Sequence, residues 1–178
     1  YPDGWAATRI ARALGLPCVI TLRGSKDEWL IGTDREPKLV EALNAADRLF
    51  SVSEALKRDV AVRLGVPADK VAVIGNGVAL DKFTPVDRDE ARRRLGIPAD
   101  AKVLIGVGNL IPTKGFHRVI PLLPALRLRF PTLRFLIVGG GVSSGNNAAH
   151  LEALAREHGV SDIVQFCGRQ PHDMLKWF

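Results

Sequence analysis

Val103-Leu-Ile-Gly-Val-Gly-Asn-Leu-Ile-Pro-Thr-Lys-Gly115 runs from an apolar stretch straight into a glycine-rich turn that closes on one lysine. An apolar strand, a small-residue turn and a following helix together build a phosphate site. Glycines let the backbone approach an anion, a helix N-terminus carries partial positive charge, and a lysine adds a full one. The reading predicts a buried strand over Val103–Val107 and a helix over Phe116–Phe130, in spite of Pro121 and Pro124.

Outward from this stretch the pattern repeats. Leu133–Val138 reads as a strand, His150–His158 as a helix, Ile163–Phe166 as a strand, and Pro171–Phe178 as a further helix. Strands separated by helices of this length give parallel βαβ units. Towards the N-terminus, Asp3–Leu14 has a helical pattern ended by Gly15, and Cys18–Leu22 is a short apolar strand that empties into Arg23-Gly24-Ser25. Glu36–Ala46 is amphipathic, with Leu39, Leu43 and Ala46 at helical spacing and Pro37 early enough to be tolerated. Arg48–Val52 is a brief strand. Ser53 has the chemistry of an N-cap, with Glu54 in the first turn and Leu56, Val60 and Leu64 on one face until Gly65. Lys70–Ile74 is a strand running into Gly75-Asn76-Gly77, residues that tolerate positive φ in a turn. Val78–Pro85 is irregular connection, and Asp87–Leu95 is a short helix with its acids first and its bases last.

Composition bounds the function. The chain has 178 residues, of which 47% are apolar and few aromatic, which suits strands buried between helices. No apolar run is long enough to span a bilayer. Twenty-five Lys and Arg against 19 Asp and Glu give +6, a balance that fits anionic partners. Aromatic residues are not interleaved with the basic ones, so nucleic acid is disfavoured as a partner. The run Arg92-Arg93-Arg94 is read as a solvated helix end. Cys18 and Cys167 are expected to be buried, reduced thiols, which points to the cytosol. His117, His150, His158 and His172 lack metal-ligand spacing, so no metal is expected. Gly139-Gly140-Gly141 lacks the G-x-G-x-x-G pattern, which disfavours a dinucleotide oxidoreductase.

Taken in order, these segments resemble the retaining, nucleotide-sugar-dependent glycosyltransferases of family 4. Tyr1-Pro-Asp-Gly4, Ser51-Val-Ser-Glu-Ala-Leu-Lys57, Val73-Ile-Gly-Asn-Gly-Val78 with Phe83-Thr-Pro85, Gly108 through Lys114-Gly115, Leu136-Ile-Val-Gly-Gly-Gly141 and Val164-Gln-Phe-Cys-Gly168 carry the likeness. It implies an α/β fold of GT-B type with two Rossmann-like domains, the first partial and the second truncated at its C-terminal end. Residues 1–75 would be the later part of the first domain, 76–100 the junction, and 101–178 the first part of the donor-binding domain.

The implied partners are a nucleotide-diphosphate sugar as co-substrate and a saccharide or lipid-linked acceptor. No metal or other cofactor is implied, and the place is the cytoplasm or the inner face of a membrane, with peripheral contact left open. The glycosyl–phosphate bond breaks through an oxocarbenium-like state, so negative charge grows on the leaving diphosphate. Lys114 is the candidate to meet that charge, and Arg23 the candidate from the first domain. The resemblance places Gly108, Asn109, Lys114, Gly115, Gly139, Gly140 and Arg169 at the donor, with Arg169 lining the base pocket. A solvated lysine at 114, a plain strand-to-helix turn at Gly139-Gly140 and an exposed arginine at 169 are the bland alternatives.

Three departures bear on activity. Asn109 stands where the family usually has arginine, which removes a fixed bidentate cation. Arg23 stands where many members have histidine, and it cannot act as a base near neutral pH. The family's glutamate pair and closing helices would fall beyond Phe178, and its early acceptor loop before Tyr1. The chain is therefore read as a fragment, expected to be inactive alone. A non-catalytic nucleotide-sugar-binding module and a nucleotide-sugar epimerase remain the other two readings.

Overall fold

Six parallel strands in two separate three-stranded sheets organise the chain, seen in a computed structural model that describes residues 2–24, 30–141 and 146–178. The backbone divides into two units, Tyr1–Val78 and Ala79–Phe178.

The first unit alternates helix and strand: α1 (Asp3–Leu14), β1 (Val19–Leu22), α2 (Glu36–Ala45), β2 (Arg48–Ser51), α3 (Glu54–Arg63) and β3 (Val71–Val73). The strands lie in the order β1-β2-β3, with Val19 opposite Arg48 and Leu49 opposite Val71. Leu49 is wholly buried at the centre, in one core with Leu39 and Leu43 of α2, Leu56 and Val60 of α3, and Leu64 just past the end of α3. α3 starts where the sequence says it should. The Ser53 hydroxyl accepts the Leu56 N–H at 3.1 Å, satisfying one donor that the first turn leaves without a helical partner. Gly75-Asn76-Gly77 departs from expectation, since none of the three takes a positive φ and the segment runs on without a tight turn.

The second unit contains α4 (Arg88–Leu95), β4 (Lys102–Val107), α5 (Phe116–Val119), α6 (Leu123–Arg129), β5 (Leu133–Val138), α7 (Ala148–Glu157) and β6 (Val164–Gly168). Its sheet order is β4-β5-β6, and β4 matches β5 residue for residue from Lys102 opposite Leu133 to Val107 opposite Val138. β5 is the central strand, with Leu133, Phe135, Leu136, Ile137 and Val138 all buried.

β4 is not the buried strand its composition suggested. It pairs on one side only among the described residues, and Leu104, Ile105 and Val107 keep 36%, 41% and 57% of their surface. Gly106, on its covered face, lies under Phe116: a Cβ there would come within 2.5 Å of the ring.

The helix expected over Phe116–Phe130 is broken into α5, a 3-10 turn at Ile120–Leu122, and α6. Pro121 and Pro124 have no N–H to give to the carbonyls four residues back, so the α ladder fails at both. The chain nonetheless keeps right-handed helical dihedrals through Ile120 (φ −54°, ψ −45°) and Leu123 (φ −63°, ψ −35°). Residues before proline usually avoid that region. Here Ile120 and Leu123 are both fully buried, and packing overrides the local preference. The C-terminal segment is likewise a 3-10 helix, His172–Trp177, in place of an α-helix. Cys18 and Cys167 are unpaired and half-buried, where full burial was expected, because Cys18 precedes the edge strand β1 and Cys167 lies within the edge strand β6.

Candidate functional site

Three loops leave the carboxyl ends of β4, β5 and β6, which in a parallel α/β sheet is where ligands bind. In this unit those loops are tied to one another through backbone. Gly108 donates its N–H to the Val138 carbonyl at 2.9 Å, Leu110 to the Gly140 carbonyl at 3.1 Å, and Gly139 to the Gly168 carbonyl at 2.8 Å. The loops therefore form one assembly whose parts hold each other in register.

Glycine is required where they meet. A Cβ at Gly139 would lie 1.9 Å from the Gly108 carbonyl oxygen, which no side chain can accommodate. A Cβ at Gly108 would touch the Cγ, Cδ and Cε of Lys114 at 3.2–3.3 Å, so the aliphatic stem of Lys114 folds back across the bare Gly108 backbone. Gly115 follows with φ +74°, the left-handed conformation that turns the chain from the Pro112–Lys114 3-10 turn into α5. The Phe116 and His117 N–H groups at that start find no acceptor among the described residues. α5 is only one turn long, so its dipole is correspondingly short, and Lys114 supplies the full charge at this loop.

Lys114 is exposed and has no carboxylate partner among the described residues. Asn109 is exposed as well, with its amide bonded to nothing described. At Gly140 a Cβ would make an ordinary 3.5 Å contact with the Arg169 Cβ, which sets the Arg169 turn beside the β5 loop. The structure thus gathers Gly108, Asn109, Lys114, Gly115, Gly139, Gly140 and Arg169 at one end of one sheet. Arg23 belongs to the other unit, exposed at the end of β1.

Two residues of this loop cluster were missed in the sequence. Asn146 accepts the Ala148 N–H at 3.0 Å and packs over Gly141, where a Cβ would meet its side chain at 2.6 Å. An asparagine two residues before a helix is a readable signal for such a turn. Gln170 donates to the Cys167 carbonyl at 2.6 Å, and nothing in the sequence marks it.

Charge is uneven along the chain. Residues 79–178 hold 14 of the 25 Lys and Arg but 9 of the 19 Asp and Glu, so nearly all of the excess sits in the unit with these loops. In the first unit, a cavity of about 10 Å³ lined by Leu22, Ile31, Leu39, Leu43, Leu56 and Val60 has room for a single water at most. It is a packing gap and far too small for a sugar. No helix among the described residues is long and apolar enough to cross a membrane.

Comparison with known proteins gives two family matches: residues 87–178 match glycosyl transferases group 1, and residues 1–82 match glycosyltransferase family 4. A D-inositol 3-phosphate glycosyltransferase of Actinosynnema mirum is 40% identical over 177 residues, covering 92% of this chain and 42% of that protein. Among solved structures, Anabaena Alr3699/HepE in complex with UDP-glucose has a TM-score of 0.71 at 25% identity, covering 97% of this chain and 46% of that one. A sucrose-phosphate synthase from Thermosynechococcus elongatus has a TM-score of 0.77 at 22% identity, covering 98% and 45%. The chain spans about two fifths of the curated relative and under half of each solved neighbour.

Proposed function

The chain belongs to the glycosyl transferases group 1 of glycosyltransferase family 4, and on that premise we propose that the complete protein transfers a sugar, with retention, from a nucleoside-diphosphate sugar to a saccharide or lipid-linked acceptor. The donor is a UDP-sugar, a choice supported by the UDP-glucose held in the Anabaena neighbour. The diphosphate sits against the β4 and β5 loops and the base against the Arg169 turn.

One observation carries this reading: the Lys114 stem lies across the bare Gly108 backbone, which is itself locked to Gly139. That arrangement holds a full positive charge at a backbone surface with no Cβ to keep a phosphate away. As the glycosyl bond breaks, charge builds on the leaving diphosphate, and a cation fixed beforehand stabilises that state more than the ground state. Lys114 is thus the group that meets the leaving phosphate, and Gly108, Asn109, Gly115, Gly139 and Gly140 line its seat. Asn109 contributes neutral hydrogen bonds where an arginine would contribute charge. The resemblance adds Arg23, exposed at the end of β1, as a further candidate for the donor phosphate or the acceptor.

The test is consumption of UDP-glucose and other UDP-sugars by the complete protein. Lys114→Ala is expected to lower kcat by about 10²–10³, the usual cost of removing one preorganised stabiliser of developing charge. Unchanged kcat would remove Lys114 from the site. Exposed Asn109 favours one second reading, a module that binds the nucleotide sugar without consuming it. Tight donor binding by the complete protein with no turnover on any acceptor would select that reading.

A further inference from the structure

The β6 strand ends in a turn that is closed by a side chain. Gly168 sits at φ +67°, the left-handed region, and reverses the chain so that Arg169 comes beside Gly140. Gln170, half-buried, then folds its amide back and donates to the Cys167 carbonyl at 2.6 Å. On the other side the Gly168 carbonyl accepts the Gly139 N–H at 2.8 Å. The turn is pinned at both ends. Between the pins, the N–H groups of Arg169 and Gln170 find no acceptor among the described residues. Arg169 is exposed and Gln170 half-buried, so these two donors face water in the free protein and are open to a ligand that displaces it.

We propose that Gln170 is a positioning residue for the base end of the donor: by closing the Cys167–Gln170 turn it fixes the backbone groups of Arg169 and Gln170 that hydrogen-bond the base. The proposal rests on the reading of the β4, β5 and β6 loops as the donor site. A uracil ring presents an imide N–H between two carbonyl oxygens, and a rigid backbone turn offers donors and acceptors at fixed places to match. Holding the turn before binding removes an ordering cost that the nucleotide would otherwise meet. Gln170 touches no reacting atom and acts only through the turn. Its effect therefore belongs to nucleotide affinity and not to bond breaking.

The experiment measures binding of UDP and of inorganic pyrophosphate to the complete protein and to Gln170→Ala and Gln170→Glu, together with kcat and KM for UDP-glucose. Glutamate keeps the length of the side chain and, ionised, has no hydrogen to donate. Both variants are expected to weaken UDP binding and raise KM by about threefold to tenfold, the worth of one hydrogen bond, with kcat within about twofold. Pyrophosphate, which has no base, is expected to bind all three proteins alike. UDP affinity unchanged in both variants would overturn the proposal. So would UDP and pyrophosphate affinities falling together, or a lowered unfolding midpoint that accounts for the loss. A parent protein that binds neither probe would instead overturn the donor-site reading itself, and this proposal with it.

Discussion

Gly139 and Gly140 are neighbours of one residue type in one loop, yet the structure asks different things of them. At Gly139 an added methyl meets a backbone oxygen at 1.9 Å, and neither loop can yield without breaking the hydrogen bonds that join them. At Gly140 it meets only the Arg169 Cβ at 3.5 Å, an ordinary contact. Gly139→Ala is expected to destabilise the second unit by about 3 kcal/mol, the upper range for forced overpacking. Gly140→Ala is expected to stay within about 0.5 kcal/mol. Denaturant unfolding of the two variants measures both, and equal effects would show that the loops are not locked at Gly139. The triplet was visible in the sequence as a strand-to-helix turn. Which glycine mattered was not, because the group that excludes a Cβ at 139 comes from residue 108.

At the scale of elements, periodicity and end signals were read directly from the chain. Leu56, Val60 and Leu64 repeat at helical spacing behind a serine, and all three are buried in α3 or at its end behind a working Ser53 cap. Pro121 and Pro124 show what such reading misses. Their missing N–H groups break the hydrogen-bond ladder, while the burial of Ile120 and Leu123 keeps the path helical. A similar non-local tie joins α6 to the loop before β6. Arg127 makes two hydrogen bonds to the Asp162 carboxylate, and Arg134 donates to the Asp162 carbonyl at 2.7 Å.

The hydrogen bonds from Arg127 hold the Asp162 carboxyl below its ordinary value. A depressed pKa means that the folded state favours the ionised form. The pair therefore stabilises the fold at pH values above the unfolded aspartate pKa of about 3.9 and loses that contribution as pH falls through the lower folded value. Both side chains are well exposed, so the contribution is about 0.2–1 kcal/mol. The stability gap between the parent and Asp162→Asn is expected to be of that size at pH 7 and to close on acidification below about pH 4. A gap that is constant with pH would contradict the assignment.

Across the whole molecule, the alternation of helix and strand was enough to predict parallel α/β units, and the family matches agree with the resemblance read from six ordered segments. The two Rossmann-like units and the GT-B neighbours give the same fold class. The exposure of β4 could not be foreseen. A strand's own residues do not tell whether it has partners on one side or on both, and Val103–Val107 has the composition of a central strand while lying at an edge of its sheet here. Arg23 was expected in the first domain and Lys114 in the second, and each lies in the corresponding unit of this chain. Because the relatives are more than twice as long, turnover is assigned to the complete protein. The 178-residue chain supplied with UDP-glucose and candidate acceptors is expected to release no UDP above background. Release at the rate of the complete protein would show that the rest of the polypeptide is dispensable.

The central claim is that the β4 and β5 loops, with Lys114 laid across Gly108, hold the diphosphate of the donor. Calorimetric titration of UDP into the complete protein and its Lys114→Ala variant tests it without any knowledge of the acceptor. The account predicts saturable binding to the parent and a Kd weaker by about tenfold or more in the variant, the loss of one charge-assisted contact. Equal affinity in the two proteins, or no binding to the parent, would contradict it.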